Sequence, residues 1–184
     1  MAAPALWNLT DETLHADCSV FRVFKRIYKH PRDARVGVFF TIKSRDWVLA
    51  LPVTTGGQLV FTRQFRVGTG ALSWEPPGGI MEAGENPITA AQREMTEETG
   101  YTGKRARLIG TCAPNPAIFD NTSHFVLVED CELTHPVAFD ATEELETVLL
   151  APREAEAMVQ RGEISHVIAQ AALYRLRLAR PDLF

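Results

Sequence analysis

Gly79-Ile80-Met81-Glu82-Ala83-Gly84-Glu85, then Asn86-Pro87-Ile88-Thr89-Ala90-Ala91-Gln92, then Arg93-Glu94-Met95-Thr96-Glu97-Glu98-Thr99-Gly100-Tyr101 is the stretch from which the rest of the chain can be read. Both ends of a helix are written in it. Asn86 can accept a hydrogen bond from the first turn. Pro87 sits where a missing N–H costs nothing, and Gly100 can take the left-handed conformation that closes the last turn. These signals predict one helix, Pro87–Thr99.

On a 3.6-residue repeat Ile88, Ala91 and Met95 form a stripe suited to a core, while Glu94, Glu97 and Glu98 fall at i, i+3 and i+4 on a neighbouring face. Like charges so spaced cost about 0.2–0.5 kcal/mol each, and acids in the last turn oppose the helix dipole by roughly 0.3–1 kcal/mol more. Arg93 lies on the adjoining side and can reach back to Glu85, which would orient the loop. The expected counter-charge is therefore a divalent cation bound through oxygen, of the magnesium or manganese kind. A solvated helix face would satisfy three glutamates equally well, so the spacing of the surrounding residues decides.

Gly79, Glu85, Arg93, Glu94, Glu97, Glu98 and Gly100 are seven fixed identities over 23 residues. This pattern resembles the Nudix box of the Nudix hydrolases. Tyr101 is the one departure, at a position more often aliphatic. The resemblance implies an α/β/α sandwich with a mixed β-sheet, and cleavage of a nucleoside diphosphate linked to another group. It also implies metal ions held by Glu94 and Glu98, with Glu97 as ligand or bridge.

A chain of 184 residues, 46% hydrophobic and 23% charged, suits a single domain over residues 1–184 with a sizeable core. Residues 1 to about 35 are expected to form an antiparallel strand extension and a dimerisation element. The net charge of −4 gives no electrostatic footprint for nucleic acid. No apolar run is long enough to span a bilayer, and residues 1–7 lack the basic start of a signal peptide. Cys18, Cys112 and Cys131 show no metal-site spacing, so three reduced thiols in a cytoplasmic protein are expected.

In chain order, residues 1–18 are weakly patterned, and Trp7 suits either a packing anchor or a stacking surface. Strands are expected over 20–29, 35–43, 47–53 and 58–65, the last two joined by a tight turn at Gly56-Gly57. Arg63 and Arg66 are three apart, so strict alternation cannot put both on one face, and at least one is expected to leave the ladder for a loop or a phosphate. Pro76 and Pro77 stiffen the approach to the helix, and Gly78-Gly79 lets backbone come close to a ligand, making a carbonyl near Gly78 a candidate metal ligand. After the helix, strands are expected over 107–113, 123–129 and 147–150, and helices over 153–161 and 166–179, with Ser165 as a cap. Ile168, Ala171, Ala172, Arg175 and Leu178 form the stripe of the last helix. His166 reads as a surface residue.

Three further segments resemble the nucleoside-diphosphate-sugar and ADP-ribose pyrophosphatase-like members of the family: Arg63-Gln64-Phe65-Arg66, Trp74-Glu75-Pro76-Pro77-Gly78, and Pro116, fifteen residues past the box. They imply substrate contacts from Arg63 or Arg66, a metal or substrate contact from Glu75, and hydrolysis of ADP-ribose or a related nucleotide sugar to a nucleoside monophosphate and a sugar phosphate. Members of this kind are commonly homodimers. In this family a carboxylate from a later loop also acts as metal ligand or general base. In Asp140-Ala141-Thr142-Glu143-Glu144, that role is expected of Glu143, with Glu144 and Asp140 behind it. The alternatives are a Nudix hydrolase of dinucleoside polyphosphates or other nucleotides, and a non-catalytic nucleotide sensor; three clustered acids argue against the sensor.

Overall fold

Trp47-Val48-Leu49-Ala50-Leu51-Pro52-Val53 is apolar at every position, as a strand covered on both faces must be. In the computed structural model, which describes residues 3–139 and 144–184, it lies in the central strand of a mixed sheet. This strand, β4 (Trp47–Thr54), runs parallel to β10 (Ser123–Leu133). Alternate residues part to the two faces. Val48, Ala50, Val126 and Val128 pack on Ala90, Ala91 and Met95 of α1 (Pro87–Thr99). Leu49, Leu51, Val53, Phe125 and Leu127 pack on Ala155 and Met158 of α2 (Pro152–Gln160) and on Ile168, Ala172 and Leu176 of α3 (Val167–Ala179). A fully buried side chain of this size contributes roughly 1.5–3 kcal/mol, so the two clusters hold the three layers together.

Strand β5 (Leu59–Arg66) meets β4 at a single registered pair, Val53 with Leu59, and then the two diverge. Two short strands fill the opening: β6 (Ala71–Glu75) pairs with β5, and β7 (Gly78–Ile80) pairs with Trp47, Val48 and Leu49 of β4. At the edges, β11 (Leu145–Leu150) joins β5, and β8 (Tyr101–Thr102) and β9 (Arg105–Cys112) join β10. This body comprises Asp46–Cys112 and Thr122–Phe184, and it has the expected mixed sheet between helices.

A second body comprises Met1–Arg45 and Ala113–Asn121. Its strands β1 (Asn8–Asp17), β2 (Phe21–Lys29) and β3 (Val36–Ser44) form an antiparallel sheet in the order β1-β2-β3. The early strands thus belong to two sheets. Trp7 is a packing anchor: its ring meets His30 edge-on at 5.2 Å and Phe39 at 6.1 Å, and the Arg35 guanidinium lies 5.3 Å over it. The segment carrying Pro116 docks on β3, where the Ile42 N–H donates to the Ile118 carbonyl at 2.7 Å and receives the Asp120 N–H in return at the Ile42 carbonyl, 3.2 Å.

Three expectations need correction. Both Arg63 and Arg66 stay in the ladder, paired with Trp74 and Ala71 of β6, and alternation sends them to opposite faces. The N-cap of α3 is His166, where Ser165 was expected, so the helix starts one residue later. The buried stripe of α3 is Ile168, Ala169, Ala172, Leu173 and Leu176, whereas Leu178 is exposed.

Candidate active site

Helix α1 ends as its sequence dictates. The Asn86 side chain accepts the Ile88 N–H at 2.9 Å, and Gly100, at φ 71°, closes the C-terminus. A Cβ at Gly100 would also run into the His135 carbonyl oxygen. The chain leaving β10 comes back over this end: the N–H groups of Thr134 and His135 both donate to the Gly100 carbonyl, and that of Ala138 donates to the Glu97 carbonyl at 2.8 Å. Peptide donors thus meet carbonyls that would otherwise repel the acids of the last turn.

Those acids differ in surroundings. Glu98 is 4% exposed and its Oε2 accepts the Gly78 N–H at 3.1 Å. Glu94 lies against Gly79, where an added Cβ would stand 2.6 Å from its Oε2. The two carboxylates therefore meet neighbouring residues of β7, Gly78 and Gly79, and Gly79 leaves room for one of them. Gly78 is equally constrained, since a Cβ there would strike the Val48 carbonyl oxygen. Glu97, at 47% side-chain exposure, is the outermost.

Arg93 does more than orient the loop. Its Nε and Nη2 grip Glu85 at 3.1 Å each, as expected, but its Nη1 also donates to Glu94 at 2.9 Å and to Glu97 at 3.2 Å. One guanidinium thus supplies part of the counter-charge expected of a cation. The pairing with Arg93, helped by the Glu82 N–H, holds the Glu85 carboxyl below its ordinary range and pushes Arg93 further up.

The donors around β7 fit a hard divalent cation. Every side-chain donor is a carboxylate oxygen, and Glu94 and Glu98 converge on one glycine pair. Among the described residues no three His, Cys, Asp or Glu side chains stand together as a ready-made cage.

Next to this site lies a cleft of about 630 Å³, lined by Gly78 and Gly79, by Arg66 and Glu75 from the β5–β6 hairpin, and by His166 from the start of α3. Glu75 is 2% exposed. Its Oε1 accepts from Arg66 Nε at 2.8 Å and its Oε2 from Arg66 Nη2 at 2.9 Å, while His166 Nδ1 stands 2.9 Å from the same Oε2. Burial alone would raise the Glu75 pKa, but His166 and Arg66 outweigh it and hold the carboxyl below its ordinary range. From sequence His166 reads as a surface residue, because its partner Glu75 lies in a distant strand.

Arg63, on the other face, stacks 5.1 Å over the Trp74 ring and approaches Glu146 at 3.8 Å. It lines a second cleft of about 590 Å³, together with Glu144, which is exposed. Pro116 is exposed in the other body. Asp140 and Glu143 lie outside the described residues.

The NUDIX domain profile matches residues 43–170. The chain is 30% identical over 138 residues to an ADP-ribose pyrophosphatase of Bacillus subtilis, covering 74% of this chain and 75% of that protein. It is likewise 30% identical over 147 residues to an ADP-sugar pyrophosphatase of Mus musculus, covering 74% and 67%. A crystal structure of an ADP compounds hydrolase superposes with a TM-score of 0.87 over 99% of this chain and 98% of that one; at 18% identity it speaks for the fold alone. A helix bounded as the box requires, carrying its acids onto a glycine pair within the matched span, leads to one conclusion: the chain belongs to the NUDIX family of hydrolases.

Proposed function

We propose that this enzyme hydrolyses the diphosphate linkage of a nucleoside-diphosphate sugar, with ADP-ribose as the leading substrate, to a nucleoside monophosphate and a sugar phosphate. The observation that carries the reading is the meeting of Glu94 and Glu98 at Gly78-Gly79, at the edge of a cleft whose wall holds Arg66. The names of the Bacillus and mouse relatives support the substrate class.

A diphosphate resists water because its negative oxygens repel a nucleophile, so catalysis rests on charge neutralisation and positioning. Glu94 and Glu98 would hold the divalent cation, with Glu97 as outer ligand; Mg2+, with Mn2+ as substitute, supplies positive charge against the diphosphate when bound. Arg66 binds a phosphate oxygen with the N–H groups that Glu75 leaves unused. Water adds to one phosphorus, the bridging P–O bond breaks, and the two phosphates part. Glu143 is proposed to orient or deprotonate that water, with Glu144 as its substitute.

We further propose a cytoplasmic homodimer. Three unpaired cysteines agree with a reducing compartment, and among the described residues no helix is long and apolar enough to cross a membrane. Val36, Val38 and Phe40 alternate along β3 and are all exposed, an apolar row of the kind a second copy would cover. Sedimentation tests this. The substrate reading is tested with a panel of ADP-ribose, other nucleotide sugars, dinucleoside polyphosphates and nucleoside triphosphates, with and without chelator. Chelator-sensitive turnover of the nucleotide sugars is expected, and activity confined to the other classes would reject it.

A further inference from the structure

We infer that His166 is a substrate-positioning residue, which holds a diphosphate oxygen through Nε2 while Glu75 fixes its ring through Nδ1. The inference rests on the phosphate-cleaving reading above and assigns that site a contact which the box does not supply.

Glu75 Oε2 is shared by two partners at 2.9 Å each, Arg66 Nη2 and His166 Nδ1. A guanidinium and an imidazole therefore stand side by side on one buried carboxylate, and both line the cleft that reaches Gly78 and Gly79. Glu75 is 2% exposed and its oxygens face Arg66 and His166. Its work is to hold its neighbours. Glu75 stands 2.9 Å from Nδ1, and Nδ1 is closed to solvent, so Nε2 is the polar atom His166 can offer to something else. His166 is only 32% exposed at the side chain, so the ring is set in the wall.

The position in the fold adds an independent argument. His166 is the N-cap of α3, a place where Ser, Thr, Asp or Asn would stabilise the helix, and its side chain makes no capping bond. The helix forgoes that stabilisation and turns the ring toward Glu75. A residue that breaks a local rule beside a cleft is where function is to be sought. The ligand chemistry follows from the neighbours: Arg66 is fixed by its fork to Glu75, and a fixed guanidinium beside an imidazole suits the oxygens of a phosphate.

The test uses the full chain and two amide replacements. In His166→Asn the amide takes the place of Nδ1 and keeps the contact with Glu75; in His166→Gln it takes the place of Nε2. Calorimetry with inorganic pyrophosphate and magnesium reads the site without turnover, and melting temperatures establish that each variant is folded. His166→Ala and His166→Asn are expected to weaken pyrophosphate about tenfold, and His166→Gln to retain affinity within about threefold. With ADP-ribose the loss should fall on KM more than on kcat. Restoration by asparagine in place of glutamine, or unchanged affinity in the alanine variant, overturns the inference. If the wild-type protein binds pyrophosphate but cleaves no nucleotide sugar, the proposed substrate fails while the His166 comparison still decides this point.

Discussion

Glu85 and Arg93 face each other fork to fork, with Nε to Oε1 and Nη2 to Oε2 both at 3.1 Å. The pair ties the loop before α1 to the helix, and the Glu82 N–H completes the knot with a bond of 2.9 Å to Glu85 Oε2.

This knot sets a pH dependence. The folded-state pKa of Glu85 is lowered, so its contribution is fully present above the ordinary carboxylate value of about 4.3 and is lost as the pH falls through the depressed folded value. Glu85→Gln should cost about 2 kcal/mol at neutral pH. The difference from wild type should shrink in acid, and urea unfolding at a series of pH values reads it. A difference that grows in acid would mean the pairing is not the source.

Gly78→Ala tests the backbone under the acids. The added methyl meets the Val48 carbonyl and the Leu49 Cα, neither of which can swing aside. Overpacking of this kind costs about 1–3 kcal/mol, and the melting temperature should drop by at least about 3 °C. Calorimetric melting checks it.

Glu98→Gln separates charge from shape. Glutamine can still accept the Gly78 N–H, so the fold should persist, while kcat with magnesium and ADP-ribose should fall at least about 100-fold. Undiminished turnover would point to another carboxylate.

Arg66→Ala and Arg63→Ala should differ in rank. Arg66 lines the cleft beside Gly78 and Gly79, whereas Arg63 stacks on Trp74 over the second cleft. The Arg66 variant should raise KM by about tenfold or more, and the Arg63 variant by less. Steady-state kinetics of both settles the order.

The ease of reading the sequence varied with how local each cause was. Helix α1 was legible to the residue because Asn86, Pro87 and Gly100 act within one turn of themselves. Strand β1 was not: Asn-Leu-Thr-Asp-Glu-Thr-Leu-His-Ala-Asp is largely exposed and has no apolar alternation, so its extended form comes from pairing with β2. The face of α3 was misjudged because Val-Ile-Ala-Gln-Ala-Ala-Leu-Tyr-Arg-Leu-Arg-Leu-Ala offers several apolar stripes, and only the sheet selects one. At the site, the box glutamates announced themselves by spacing. The junction of Arg66, Glu75 and His166 did not, since the β5–β6 hairpin and the start of α3 must fold before its members become neighbours. Arg93 was half legible: its reach to Glu85 follows from the pattern, but its sharing among three acids depends on the turn of one guanidinium.

The parting of β4 from β5 after one registered pair has a bearing on how such an enzyme can change. The hollow between them is opened by main-chain pairing with β6 and β7, so it survives exchange of the side chains that face it. New specificities can then arise by repainting the walls, with the hydrolytic corner at Gly78 and Gly79 left as it stands.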